Sequence, residues 1–190
     1  MPAAAIESSL QTRRREIGRY GRLRRLKLGG RINAMREADR PIGERVSVLE
    51  RPAADGDSPP EDSVSMLGDA ELSSFRLALV DDDRRVYIGR HGEDGLFLLL
   101  LDAAAGGGSG SHRSTLTERG AIVMWNSVQG GRFIVAGIVA DPVTAVRVGE
   151  IPAALHDNAF AAVVPRGASD VVTVATPDGE RQVPLPPLVL

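Results

Sequence analysis

From Met66 onward the chain alternates short apolar runs with turn residues, and the turn signals recur about every 8 to 12 residues, the spacing of antiparallel strands rather than of long helices. "FRLALV" (Phe75–Val80) is followed by "DDDRR", "VYIGR" (Val86–Arg90) by "HGEDG", and "LFLLLL" (Leu96–Leu101) with Asp102 by "AAAGGGSGSHRST", which reads as a flexible loop by composition. The pattern resumes with "AIVMW" (Ala121–Trp125), the Gly130-Gly131 pair and "RFIVAGIVA" (Arg132–Ala140). It continues with "AVRV", "IPAAL", "AFAAVV", "VVTVAT" and "RQVPLPP". Asp82-Asp83 and Asp94-Gly95 are the polar reversals expected between paired strands. The apolar length of 132–140 suits either a strand buried on both faces or a bulge at Gly137. No helical pattern alternates with these runs, as a parallel sheet would require. The expected fold class is mainly β: an antiparallel β-sandwich or partly open barrel over 66–190, preceded by a basic N-terminal arm that is helical or disordered.

The arm is where the charge is uneven. Between Leu10 and Arg36 ten Lys or Arg stand against Glu16 alone, a local charge of +9 in a chain whose net charge is −2. The densest part is Arg13, Arg14, Arg15, Arg19, Arg22, Arg24, Arg25 and Lys27, and it is the candidate binding element of the arm. Ser9 offers a helix N-cap, but Gly18 and Gly21 each cost about 1 kcal/mol in a helix interior. Leu23 and Leu26 also fall off the face shared by Leu10, Ile17, Tyr20 and Leu28. The arm is taken as 1–50, with Pro41 and Gly43 interrupting its last part. "RPAADGDSPPEDSVS" follows, with Pro52, Pro59, Pro60 and little to bury, and reads as a linker over 51–65.

Composition narrows the chemistry. Hydrophobic residues make up 43% of the chain but aromatics only 4%, so the core must be built from Val, Leu, Ile and Ala. With no cysteine there is no disulfide, no thiolate nucleophile and no zinc site that needs thiolate ligands. The apolar run Leu96–Leu101 is far short of the roughly 20 residues of a membrane-spanning helix. No apolar block follows the basic N-terminal residues as it would in a secretory signal. A cytoplasmic location is expected, with peripheral membrane association through the arm as its variant.

His156-Asp157-Asn158 sets an ionisable ring, a carboxylate and an amide side by side between two apolar runs. It could be a site. The stronger reading is a reversal between strands, because Asp and Asn satisfy local backbone groups and tolerate positive φ.

"LERPAADGD" (Leu49–Asp57), "RVYIGRHGEDGLFLLLLD", "ERGAIVMW" and "VAGIVADPVTAVRV…HDNAFAAVVPRGASDVVTVATPDGERQVPLP" together resemble a group of small β-domain proteins of high-GC Gram-positive bacteria whose function is unknown. The resemblance spans 48–186 and implies a basic or membrane-anchored N-terminus, a Leu-x-Arg-Pro linker and an antiparallel β domain. Members of the group often carry a membrane span and a cysteine pair near "LFLLLL" and "GSHRST", and this chain has neither. The resemblance carries no catalytic residues.

Other chemistries fail on spacing. Ser109, Ser111 and Ser114 neighbour His112, but no G-x-S-x-G elbow is present. "GGGSGSHRST" lacks the Gly-Lys of a phosphate loop, and no helix of useful length is expected after it. His91, His112 and His156 are widely separated and each is expected in a loop, so no metal site is assigned. Asp81-Asp82-Asp83 is followed by Arg84 and Arg85 where a calcium loop needs Asn, Asp or Gly. The expectation is therefore a non-enzymatic protein-interaction or accessory module without a cofactor, its arm acting as a tether. Binding of nucleic acid or of an anionic membrane surface through the arm is the alternative, and a small hydrolase stands last.

Overall fold

The computed structural model describes residues 45–103 and 106–186. The cationic run Arg13–Lys27 and the helix-or-disorder expectation for it lie outside the described residues.

The elements are β1 (Glu71–Asp81), β2 (Arg84–His91), β3 (Gly95–Leu101), β4 (Gly106–His112), helix α1 (Arg113–Arg119), β5 (Ala121–Val128) and β6 (Arg132–Val139). They continue with β7 (Ala145–Val148), β8 (Ile151–Pro152), β9 (Ala154–His156), β10 (Ala159–Pro165), β11 (Val171–Thr176) and β12 (Gly179–Pro184). The strands make three antiparallel sheets: a first sheet β1-β2-β3-β4, a middle sheet β5-β6-β10-β9 and a last sheet β12-β11-β7-β8. The mainly β, antiparallel expectation holds.

Period-two alternation decides how the sheets stack. Leu96, Leu98 and Leu100 of β3 share a core with Ile122, Met124, Ile134, Ala136 and Ile138 of the middle sheet. Phe97 and Leu99 point the other way, into a smaller cluster with Leu67, Phe75 and Tyr87. The middle sheet is apolar on its second face too, where Val135, Val139, Phe160 and Val164 meet Val146, Val148, Val172 and Val174 of the last sheet. The result is a three-layered sandwich. β6 runs in unbroken register with both neighbours, so of the two expectations for 132–140 the strand buried on both faces is the one found. Gly137 lies directly opposite Phe160 and leaves the space its ring fills.

Two stretches differ from their sequence reading. The glycine-rich "loop" is β4, paired with β3 along its whole length. Gly106, Gly108 and Gly110 oppose Leu101, Leu99 and Phe97. A Cβ on Gly108 would stand 2.6 Å from the Phe97 ring and 3.0 Å from the Met66 carbonyl, so the missing side chains are what let Phe97 lie across the strand. The short helix α1, not expected from sequence, follows and ends at Gly120, whose φ of +90° permits the Gly120 N–H to bond the Leu116 carbonyl at 2.8 Å. The second stretch is 45–65. Packing reaches back to Val46, Val48 and Leu49, which lie in the first core, and within the linker Asp57 and Ser63 are buried. Short 3₁₀ turns occupy Ser47–Leu49 and Glu61–Met66.

The two outer strands of the last sheet, β12 and β8, carry Pro184 and Pro152. Proline gives no N–H to a ladder, so it blunts these edges against further pairing. Among the described residues no helix is long and apolar enough to cross a membrane.

Candidate functional site

The densest polar constellation sits on β1, where the strand bulges. Leu77 pairs with Tyr87 but Leu79 pairs with Val86, so Ala78 is an extra residue and nearby backbone groups lose their ladder partners. Three side chains from other segments take them up. Asp57 accepts from the Leu77 N–H at 2.9 Å, Arg51 donates to the Leu77 carbonyl at 3.1 Å, and His156 Nδ1 lies 3.1 Å from the Ala78 carbonyl. A carbonyl only accepts, so His156 carries its proton on Nδ1 for this bond.

Asp57 is the centre of the cluster. Arg51 grips it with two 2.8 Å bonds in fork geometry, and the Ala54 N–H adds a third at 2.7 Å. Burial by itself pushes this carboxyl up. The Arg51 bonds and the two backbone amides outweigh it and hold the pKa at about 2. The Arg51 guanidinium is raised in turn, chiefly by its bond to Asp57. A carboxylate so acidic and so fully bonded is a poor general base. It closes the 51–57 loop and fastens that loop to the bulge.

The reversal at His156-Asp157-Asn158 is a turn, with φ of +42° at Asp157 and +68° at Asn158. It is also a second fastening. The Asn158 Oδ1 accepts from the Val48 N–H at 3.1 Å, and its Nδ2 donates to the Val139 carbonyl at 3.1 Å and to Asp141 at 2.9 Å. Asp141 also accepts from the Ser47 N–H at 2.9 Å. Burial raises the Asp141 carboxyl, but the Asn158 and Ser47 bonds, with Arg45 nearby, bring it below the usual value. Asn158 thus ties 47–48 to the end of β6.

The residues weighed for catalysis and metal binding are placed as follows. Alternation along β4 turns Gly107 toward Asn126 and Gly108 toward Phe97. Ser109 and Ser111 therefore point to the face opposite His112, and Ser111 bonds Thr115 at 3.2 Å instead. His91 and His112 are brought together on either side of Gly95, in one row across the sheet. They share a concavity of about 760 Å³ with Asp69, Glu93 and Asp94. Among the described residues no group of three or more His, Asp or Glu is placed to hold a metal ion. Asp81 and Asp82 at the β1–β2 tip are bridged by Arg84 at 3.1 and 3.2 Å. His156 is 68% exposed and lines none of the concavities described here.

A groove of about 590 Å³ opens among β5, β6, the end of β10, the 167–170 turn and Leu185-Pro186 beyond β12. Trp125 and Phe133 line it as a T-shaped pair, centroids 5.1 Å apart, and both are half-exposed. The Trp125 indole N–H donates to the Pro186 carbonyl at 3.0 Å.

Comparison of the chain with family models, curated proteins and solved structures finds no match. Three features escaped the sequence reading: the Arg51–Asp57 clamp, the reach of Asn158, and the Trp125 groove. A signal for the first was present, since an Arg-Pro followed six residues later by Asp, across a Gly-containing turn, is a loop that its own ends can close.

Proposed function

We propose that the protein is a non-enzymatic interaction module that engages a protein partner, with Arg13, Arg14, Arg15, Arg19, Arg22, Arg24, Arg25 and Lys27 forming its tether. The observation that carries this reading is the segregation of charge. Against the +9 of Leu10–Arg36, the stretch 52–102, which includes β1, β2 and β3, holds twelve Asp or Glu and four Arg, whereas 103–190 holds seven and six. The body's acidity is therefore borne by the first sheet and its covering segment, which separates two surfaces of opposite sign in sequence and suits electrostatically steered contacts. It is supported by the use of the best-formed polar clusters, around Asp57 and Asn158, in holding the fold. In this reading the protein works in the cytoplasm without a cofactor.

The test compares the full chain with one beginning at Pro41, because a later start would remove Val46, Val48 and Asp57 from the packed body. Both are used to recover partners from lysate with and without nuclease, and both are titrated with duplex DNA and with anionic vesicles at low and physiological salt. A nuclease-resistant protein partner lost with residues 1–40 is the expected outcome. Recovery abolished by nuclease, with DNA affinity falling by about three orders of magnitude over that salt range, assigns the arm to nucleic acid instead. Retention on anionic vesicles alone assigns it to a membrane surface.

A further inference from the structure

We propose that the free edge of β5 pairs with the β5 of a second copy of this chain, antiparallel about a two-fold axis, joining the two middle sheets into one. β5 is an outer strand of the middle sheet, and the direction of its backbone follows from its neighbours. The Val139 N–H bonds the Asn158 carbonyl at 2.9 Å, so Val139 turns its backbone toward β10 and away from Ala121, its partner on β5. Alternation then sends the N–H and C=O of Ala121, Val123, Trp125 and Ser127 outward, away from β6. Ser127 is exposed, Val123 and Trp125 are half-exposed, and among the described residues nothing bonds these outward groups.

The other outer strands offer a partner less. β12 and β8 carry Pro184 and Pro152, and β9 is three residues long. On β1 the Leu77 N–H and carbonyl and the Ala78 carbonyl are already held by Asp57, Arg51 and His156. β4 is glycine and serine as far as His112, with little side chain to fix a register. β5 runs for eight residues with none of these guards. Charge and pattern point to its own copy as the occupant. In a two-fold pair β5 supplies both sides of the ladder, and Ala121–Val128 holds no charge to repel and no proline to break it, whereas β1 carries Glu71, Arg76 and Asp81 and β12 carries Glu180 and Arg181. An axis at Met124 sets Val123 opposite Trp125 of the second copy, and Trp125 opposite its Val123. β-Branched residues facing aromatic ones across the ladder stabilise antiparallel pairs, so the strand is complementary to itself. This inference stands apart from the arm and from its partner.

The chain has no cysteine, so a single one introduced at the axis reports on the pairing. Met124 turns its backbone to β6 and would face its own copy as a non-hydrogen-bonded pair, Cα atoms about 4.5 Å apart, which is within disulfide range. Sedimentation of the full chain is measured over a range of concentrations at low and high salt, beside Val123→Pro, which removes an outward N–H and no bond to β6. Oxidative cross-linking compares Met124→Cys with Asp178→Cys, which lies on the exposed β11–β12 turn. Far-UV circular dichroism verifies the fold of each. The expected result is a two-copy species in the parent at both salts, a single copy in Val123→Pro, and a disulfide-linked pair from Met124→Cys alone. The proposal is overturned by a parent that stays single at every concentration, or by a pair that dissolves in high salt as an arm-to-body contact would. Cross-linking of Met124→Cys no faster than that of Asp178→Cys also overturns it, as does a pair that survives in folded Val123→Pro. If Val123→Pro loses its fold, the cross-link decides.

Discussion

The segment 51–57 and strand β4 are both poor in apolar side chains, and each is held in place by what the other lacks. Segment 51–57 is secured by side chains acting on backbone: Asp57 and Arg51 take up the Leu77 N–H and carbonyl that the β1 bulge frees. β4 is secured by backbone acting on backbone, with the ladder to β3 complete from Gly106 to His112 and glycine supplying space rather than contact. The first order is therefore electrostatic and titratable. The second is steric, indifferent to pH and intolerant of volume.

The largest effect expected from that contrast is on the clamp. Asp57→Ala strands Arg51 and leaves the Ala54 and Leu77 amides without their acceptor. It should cost about 3 kcal/mol and lower Tm by about 10 °C. Chemical denaturation checks the first figure and calorimetry the second; a loss within experimental error would mean that 51–57 is held by something other than its carboxylate. Next comes Gly108→Ala, whose methyl meets the Phe97 ring backed by the Met66 backbone. About 2 kcal/mol of destabilisation is expected, and it should be the same at pH 4 and pH 7.

The acid dependence sharpens the contrast further. Asp57 titrates at about 2 in the folded chain against 3.8 as the ordinary value. A lowered folded pKa stabilises fully above 3.8, and the gain is lost as pH falls from 3.8 through about 2. Its size is about 2 kcal/mol, and Asp141, shifted the same way, adds to it. Denaturant midpoints recorded across this window should fall in the parent chain and fall less in Asp57→Asn. Equal slopes in the two would remove Asp57 from the account. The smallest effect belongs to Gly110→Ala, two residues from Gly108 and on the same face. Its methyl would meet the movable His91 ring at 3.3 Å and touch the Phe97 ring at an ordinary 3.6 Å, so stability should change by no more than about 0.5 kcal/mol. A loss as large as that at Gly108 would show that β4 resists any side chain, wherever Phe97 lies.

The same pair of regions explains what could be read from sequence. The strands were legible where buried and exposed side chains alternate, as in β11, and where an unbroken apolar run is bounded by turn residues, as in β3. The turn at His156-Asp157-Asn158 was legible because Asp and Asn signal positive φ. β4 was not, since glycine carries no pattern and its partner, Phe97, is on another strand. The order of 51–57 was hidden because it depends on a bulge in β1, and nothing in "FRLALV" marks Ala78 as the extra residue. The Trp125 groove was unreadable for a related reason: β5 and the end of β12 meet only after the middle and last sheets are stacked.

The three-layered stacking also sets a schedule. The first sheet is a meander in which each strand pairs with the next, so it can assemble as soon as Gly106–His112 has left the ribosome. The middle sheet waits longer, because β6 needs β10. The last sheet waits longest, because β11 needs β12. During translation Leu96, Leu98 and Leu100 are therefore made well before the strands that cover them, and the nascent chain passes through an interval in which a finished sheet presents a bare leucine face to whatever chaperone attends it.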